Sequence, residues 1–302
     1  MKRGCVIVIT GPTASGKSAL AVALAHRLNT EIVSADSRQI YKGIPIVTAV
    51  PSEDERDGIA HHLIEMLNLD EYYSASIFEQ DSLSIIGRLL NEVGIAIVCG
   101  GSMMYVDALC NGIDEIPTVP DDIRNALTEE WIQKGDEWLL SMLKLNDPDW
   151  YGRVDLRNMK RVFHAVEVSL TAGVPYSSLL RGEKVERPFD IIKICLGRER
   201  SDLFSRINNR VDLMMQTGLL DEVRSVYHLK GLNSLNTVGI KELFSYFDGD
   251  MPLTVAVERI KKNTRVYAKK QITWYKRDDS IKWIDAGMPS QKSLEAILSL
   301  LK

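Results

Sequence analysis

Near the N-terminus, Cys5-Val6-Ile7-Val8-Ile9 is an unbroken apolar, largely β-branched run. It feeds into Thr10-Gly11-Pro12-Thr13-Ala14-Ser15-Gly16-Lys17-Ser18 and then an alanine- and leucine-rich stretch ending at Leu28. Nothing else in the chain narrows its fold as much. A continuous β-branched run suits a strand buried on both faces of a parallel sheet. Gly11, Pro12, Thr13, Ala14, Ser15, Gly16, Lys17 and Ser18 together match G-x-x-x-x-G-K-[ST]. The glycines let the backbone curl so that its N–H groups point inward, and the next helix adds the positive end of its dipole. In such a cradle Lys17 reaches the terminal phosphates and Ser18 holds Mg²⁺. A chance match in a chain of this length has a probability on the order of one per cent. Here the motif also follows a strand and opens a helix, the context it requires. It implies a diphosphate or triphosphate ligand and leaves the chemistry open.

Further strands are predicted at Ile32-Val33-Ser34-Ala35, Ile95-Ala96-Ile97-Val98-Cys99 and Ile191-Ile192-Lys193-Ile194-Cys195-Leu196, with an edge strand at Ile281-Lys282-Trp283-Ile284. Strands alternating with helices indicate an α/β fold, here a P-loop NTPase-like core with a mostly parallel sheet. The middle of the chain reads as helices alone. One starts at Pro120-Asp121-Asp122 and stops at Gly135; a second ends before Asn146-Asp147-Pro148. A third carries Leu156, Met159, Val162, Phe163 and Val166 and ends at Gly173. The expected organisation is a core of residues 1–112 and 190–302 and an all-helical insertion of residues 113–189, with a polar linker at 181–188. Trp131 and Trp138, at helical spacing among leucines, are expected in a core. Trp150 and Trp274 are also weighed as base-stacking groups.

Composition limits the function classes. The chain has 302 residues, 45% hydrophobic and 26% charged, with a net charge of −4. That excludes a collagen, a disordered tail and a disulfide miniprotein, and it gives no bulk attraction to polyanions. The distribution says more. Between positions 257 and 277 stand Arg259, Lys261, Lys262, Arg265, Lys269, Lys270, Lys276 and Arg277, against Glu258 alone. Lys262, Arg265, Lys269 and Lys276 share one helical stripe, and Arg153, Arg157, Lys160 and Arg161 form a second cluster. Contact with a nucleic-acid backbone is the reading preferred over a merely solvated face. Cys5, Cys99 and Cys195 lie in strand-like runs, and no pair has C-x-x-C spacing, which fits a reducing cytoplasm. The apolar run after Met1-Lys2-Arg3 is too short for a signal peptide, and no run suffices for a membrane span.

Ordinary P-loop nucleotidases carry a metal-supporting aspartate after an apolar strand. Here Cys99 is followed by Gly100-Gly101-Ser102. Asp36 instead follows the second strand, at the carboxyl end where α/β sheets place ligands. A metal ligand, a general base and a turn aspartate all remain open for it. His61-His62 reads as structural, because neighbouring side chains diverge and one metal seldom takes both.

Several segments resemble the tRNA dimethylallyltransferases, also called tRNA isopentenyltransferases. They are residues 11–18, Asp36-Ser37-Arg38-Gln39-Ile40-Tyr41-Lys42-Gly43, His61-His62-Leu63-Ile64 and Gly100-Gly101-Ser102-Met103-Met104-Tyr105. Lys261-Lys262-Asn263-Thr264-Arg265 and Tyr267-Ala268-Lys269-Lys270-Gln271-Ile272-Thr273-Trp274 add to them, so that nearly the whole chain is covered. The resemblance implies transfer of a dimethylallyl group from dimethylallyl diphosphate to N6 of the adenosine 3′-adjacent to the anticodon, with Mg²⁺ as cofactor. It implies Asp36 as the base, Thr13 and Arg210 beside the diphosphate, and Lys17 and Ser18 as the phosphate and metal residues. It also implies tRNA contacts at Asp36, Ser37, Arg38, Gln39, Ser102, Lys160 and Arg161, joined by the stripe residues Lys262, Arg265 and Lys269. An insertion that helps grip the anticodon stem-loop, a bacterial form without a zinc finger, a cytoplasmic location and a monomer complete the expectation. Ser102 stands where threonine is usual; His164, Ile240 and Val266 replace arginine, tyrosine and arginine in regions expected to touch RNA. The rivals are a P-loop small-molecule kinase and a non-catalytic RNA-binding nucleotide sensor. An enzyme that prenylates free AMP is a further variant, against which the basic C-terminal region argues.

Overall fold

The computed structural model describes residues 4–180, 182, 184–288 and 290–301. Met1, Lys2 and Arg3, and Arg181 and Glu183 of the expected linker, lie outside the described residues. The chain divides into two units, Met1–Asn111 with Glu186–Lys302, and Gly112–Val185.

The first unit begins with β1 (Cys5–Thr10), α1 (Lys17–Leu28), β2 (Ile32–Ser34), the short α2 (Pro45–Thr48) and α3 (Glu53–Arg56), and β3 (His61–His62). It continues with α4 (Ala75–Glu92), β4 (Ile95–Cys99) and α5 (Met103–Asn111). The second unit holds α6 (Asp121–Asn146), α7 (Pro148–Tyr151), α8 (Met159–Ala172) and α9 (Tyr176–Leu179). The chain then returns to the first unit as β5 (Asp190–Gly197), α10 (Arg200–Gln216), α11 (Leu219–Ser225), α12 (Ile240–Phe247), α13 (Leu253–Tyr275), β6 (Lys282–Asp285) and α14 (Ser290–Ser299).

The sheet runs β3-β2-β4-β1-β5-β6, and every pair in it is parallel. With both faces covered, alternate residues of one strand serve two cores. Val6, Val8 and Val98 pack with Phe78, Ile86, Leu89 and Leu109; Ile7, Ile9 and Ile97 pack with Leu20, Leu24 and Ile297. That two-sided burial is why β1 and β4 read as unbroken apolar runs. A third core joins Ile40 and Ile44, just past β2, to Val211, Leu219, Ile240, Leu243 and Ile260 of the C-terminal helices. It fixes the loop after β2 against α10 to α13.

β2 ends one residue earlier than expected, and Ala35 still donates to Cys99 O at 2.9 Å. Gly100 permits this approach, because a Cβ there would lie 2.1 Å from Ala35 O. The two histidines form the edge strand β3, which sequence reading did not identify as a strand. His62 Nε2 meets Glu31 Oε2 at 2.7 Å and His61 Nδ1 meets Ile59 O at 2.9 Å. Those bonds agree with the structural reading of the pair.

In the helical unit, α6 is broken at Gly135, whose φ of 78° and ψ of −177° separate the two helices expected there. Leu156 falls outside α8, because the Asn158 carboxamide caps that helix by accepting from Arg161 N at 3.4 Å. Trp131 and Trp138 pack against a core of Leu127, Leu139, Leu143, Val162 and Val166. The unit ends at Val185 instead of 189, and the reason is local. Arg187 donates to Ala108 O and Leu109 O and to the Glu79 carboxylate, so the returning segment belongs with α5 and α4.

Candidate active site

The P-loop takes conformations that its residues alone make affordable. Gly11 has φ 142°, and a Cβ on it would come within 2.8 Å of Leu196 O. Gly16 has φ 102° and leads into α1. Ala14, with φ 63°, is a non-glycine residue in the left-handed region, a strained conformation of the kind that collects at functional sites. Arginines hold the loop from the outside: Arg198 Nε donates to Ser15 O at 3.0 Å and Arg206 Nε to Ala14 O at 2.9 Å. Lys17 Nζ donates to Pro12 O at 2.8 Å and Arg210 to Thr13 Oγ1 at 3.2 Å. The Ser15 hydroxyl is buried without a hydrogen-bond partner among the described residues.

Lys17 and Arg210 share an electrostatic condition. Burial pushes the pKa of each below its ordinary value; Arg210 adds to the effect on Lys17, while Asp36 opposes it for both. Neither forms a salt bridge among the described residues. A partly buried cation without a counter-ion carries a desolvation cost, and an anion in the cradle would relieve both.

Asp36 lies just past the carboxyl end of β2. Its Oδ1 accepts from Arg38 N at 2.9 Å and Gln39 N at 3.4 Å, closing an Asx turn. Its Oδ2 has no hydrogen bond among the described residues. The turn-aspartate reading is therefore realised by one oxygen, and the other is left for chemistry. The neighbours brace this turn. Ser102 Oγ accepts from Ser37 N at 2.8 Å. Arg38 donates to Asn233 O at 2.9 Å and Ser234 O at 3.1 Å. Gln39 donates to Thr48 O and Ala49 O and accepts from Ser34 Oγ.

These residues meet at a cavity of about 370 Å³. Thr13, Asp36, Ser37, Arg38, Ser102 and Arg210 line it, whereas Gln39 does not. The lining also includes Thr237, Val238, Lys241, Thr264 and Tyr267, and Val47, Val211, Met214, Leu219 and Ile260 supply an apolar portion. The volume lies in the range of small-molecule sites. Sequence reasoning singled out none of Thr237, Lys241, Thr264 and Tyr267 as site residues. A signal existed for α13: Thr264, Tyr267 and Gln271 follow i, i+3, i+7, a polar stripe beside the basic one.

The expected RNA-facing cations are more varied than their sequence spacing implies. Lys262 and Lys269 are exposed, as are Lys160 and Arg161 on α8 of the helical unit. Arg265 is tied to Asn208 Oδ1 at 2.5 Å. Arg200, Arg265 and Lys269 stand over the Phe204 ring, 5.3, 5.9 and 5.4 Å from its centre. Lys261 is neutralised by Asp212 at 2.8 Å and Glu258 at 3.1 Å. Trp274 donates to Asp107 at 2.9 Å, and His164 lies 2.8 Å from the buried Glu167 carboxylate, which also binds Arg124.

Residues 39–278 match the IPP transferase family. The chain is 50% identical to tRNA dimethylallyltransferase 1 of Bacteroides thetaiotaomicron over 92% of its own length and 90% of that protein. It is 42% identical to the tRNA dimethylallyltransferase of Christiangramia forsetii over 97% of each. Among solved structures, it is similar to the full-length tRNA isopentenylpyrophosphate transferase of Bacillus halodurans, with a TM-score of 0.73 and 31% identity over 99% of this chain and 96% of that one. It is also similar to a eukaryotic dimethylallyltransferase acting on tRNA, with a TM-score of 0.80 and 28% identity over 94% of this chain and 74% of that one. On this agreement of sequence and fold, the chain belongs to the IPP transferase family, that of the tRNA dimethylallyltransferases.

Proposed function

We propose that the chain transfers the dimethylallyl group of dimethylallyl diphosphate to N6 of the adenosine 3′-adjacent to the anticodon in tRNA, releasing diphosphate. The observation that carries this reading is the cavity of about 370 Å³, with the open Asp36 carboxylate and the half-buried Arg210 both on its lining. Its apolar residues suit an isoprenoid tail. Adenine N6 is a poor nucleophile because its lone pair is delocalised into the ring. As the N6–carbon bond forms, the carbon–oxygen bond to diphosphate breaks, and Asp36 Oδ2 takes the N6 proton. Charge develops on the departing diphosphate, and Lys17, Arg210 and the loop amides other than that of Thr13 would receive it. The adenine must leave its stack to enter the cavity. Family membership favours this reaction over the small-molecule kinase and the nucleotide sensor.

Mg²⁺ fits the donors present. Ser18 is exposed at the start of α1, and no group of three His, Cys, Asp or Glu side chains converges among the described residues. An ion held mainly by phosphate oxygens and water, with one hydroxyl from the protein, is the environment magnesium prefers. When bound, it neutralises charge on the diphosphate. Ser37, Arg38, Gln39 and Ser102 serve the acceptor side by shaping and bracing the Asp36 turn. Lys160, Arg161, Lys262, Arg265 and Lys269 serve the tRNA backbone. We place the protein in the cytoplasm as a monomer; among the described residues no helix is long and apolar enough to cross a membrane, and all four cysteines are free.

The test incubates the protein with dimethylallyl diphosphate, Mg²⁺ and an unmodified anticodon stem-loop. A mass gain of one dimethylallyl group on the adenosine is expected, and phosphate release from ATP without that gain would overturn the reading. Asp36→Ala should lower the transfer rate by about 10²- to 10⁴-fold while stem-loop affinity persists. Near-normal turnover would remove Asp36 from the base role.

A further inference from the structure

Gln271 is 2% exposed and sits near the end of α13. Its carboxamide bonds at both ends. Oε1 accepts from Thr13 N at 2.9 Å, and Nε2 donates to Gly101 O at 2.8 Å. It therefore ties the P-loop, which follows β1, to the turn after β4, the strand that lies between β1 and the β2 strand leading to Asp36. The fit on the β4 side is tight, because a Cβ on Gly101 would come within 2.4 Å of Gln271 Nε2.

This bond has a consequence for the phosphate cradle. Thr13 is the loop residue whose hydroxyl receives Arg210. With its amide hydrogen committed to Gln271, Thr13 cannot turn that amide toward a phosphate, and the peptide plane is fixed. Its hydroxyl and the Arg210 guanidinium are thereby held at the cavity wall. We propose that Gln271 is a positioning residue for the diphosphate site, setting the orientation of the Thr13 peptide and hence of the Thr13–Arg210 pair. The inference rests on the reading of the P-loop as a diphosphate cradle.

A double-mutant cycle on Gln271 and Gly101 tests it, with inorganic pyrophosphate in Mg²⁺ buffer as the calorimetric probe and donor KM in the transfer assay as the second readout. Gln271→Leu keeps the bulk and removes both hydrogen bonds; pyrophosphate affinity should fall about tenfold and donor KM should rise in parallel. Gly101→Ala pushes the carboxamide aside and should show a similar loss. In the Gln271→Ala background, where the clash is gone, Gly101→Ala should add little, the non-additivity expected of residues in contact. Gln271→Glu retains the acceptor for Thr13 but sets a carboxylate oxygen against Gly101 O. Its affinity relative to the unmodified protein should improve as pH falls and the new carboxyl protonates. A merely structural side chain would leave that ratio flat with pH. Undiminished pyrophosphate affinity in Gln271→Leu, or simple additivity in the cycle, overturns the proposal. Should Gln271→Leu fail to fold, the pH ratio of Gln271→Glu and the Gly101→Ala affinity decide the matter. Failure of the unmodified protein to bind pyrophosphate would instead refute the cradle reading itself.

Discussion

Two sets of cations occur in this chain, and their surroundings give them different work. Lys17 and Arg210 are half-buried, bonded to a carbonyl and a hydroxyl, and have no carboxylate partner among the described residues. Lys262 and Lys269 on α13, and Lys160 and Arg161 on α8, stand in water. In the first set part of the desolvation cost has been met in the folded protein, so an incoming diphosphate finds charge that is already partly desolvated and held in place by hydrogen bonds. In the second, each charge is hydrated and screened and contributes through released counter-ions. A net charge of −4 is compatible with RNA binding because the second set is local.

The largest effect that would break this contrast is on Arg210. Arg210→Ala should lower the rate of transfer by about 10²- to 10³-fold, as losses of preorganised transition-state donors do. The loss should be nearly independent of salt. Arg210→Lys should recover only part of it, since an ammonium lacks the guanidinium fork. A loss that grows or shrinks strongly between low and high salt would place Arg210 with the exposed set.

Lys17 sharpens the same contrast through pH. Burial depresses its folded-state pKa below the free-lysine value, with Arg210 contributing. Between the folded and the unfolded pKa the unfolded chain binds more protons, so the ligand-free protein should gain stability as pH rises through that window toward about 10.4. Pyrophosphate favours the charged form and should diminish the gain. Lys17→Met should remove the gain, raise the stability of the ligand-free protein at neutral pH, and weaken pyrophosphate binding by about ten- to a hundredfold. Thermal unfolding measured across pH with and without pyrophosphate checks all three. A pH-stability curve unchanged by Lys17→Met would refute the buried-cation account.

Much of this site was legible because its signals are local. The strand, loop and helix of the cradle are contiguous, and Asp36 follows its strand directly. What stayed hidden depends on partners far apart in sequence. Nothing near Thr13 announces that Arg210 reaches its hydroxyl or that Gln271 takes its amide. Arg38 reads as a free cation for RNA until the carbonyls of Asn233 and Ser234 are found against it. Lys261 reads as part of an unopposed basic run, yet Asp212 on α10 neutralises it. The boundary of the helical unit at Val185 depends on the same kind of partner, because Arg187 is anchored by carbonyls at the close of α5. Pattern reading recovers strands, helices and motifs; it does not recover which backbone carbonyls consume a long cationic side chain.

The smallest expected effect belongs to Lys269. It is exposed, and its ammonium stands 5.4 Å from the centre of the Phe204 ring, a contact worth about 0.5–1 kcal/mol at an exposed site. Arg200 and Arg265 face the same ring, so the patch keeps most of its charge when one lysine is lost. Lys269→Ala should therefore weaken stem-loop binding only a few-fold near physiological salt. It should reduce the slope of log affinity against log salt by about one, and it should leave donor KM and pyrophosphate affinity untouched. Arg210→Ala should do the reverse, with donor binding impaired and the salt slope preserved. If Lys269→Ala instead changes donor KM while the slope stays fixed, the lysine acts on the cradle through α13, and the division between half-buried and exposed cations fails at that position.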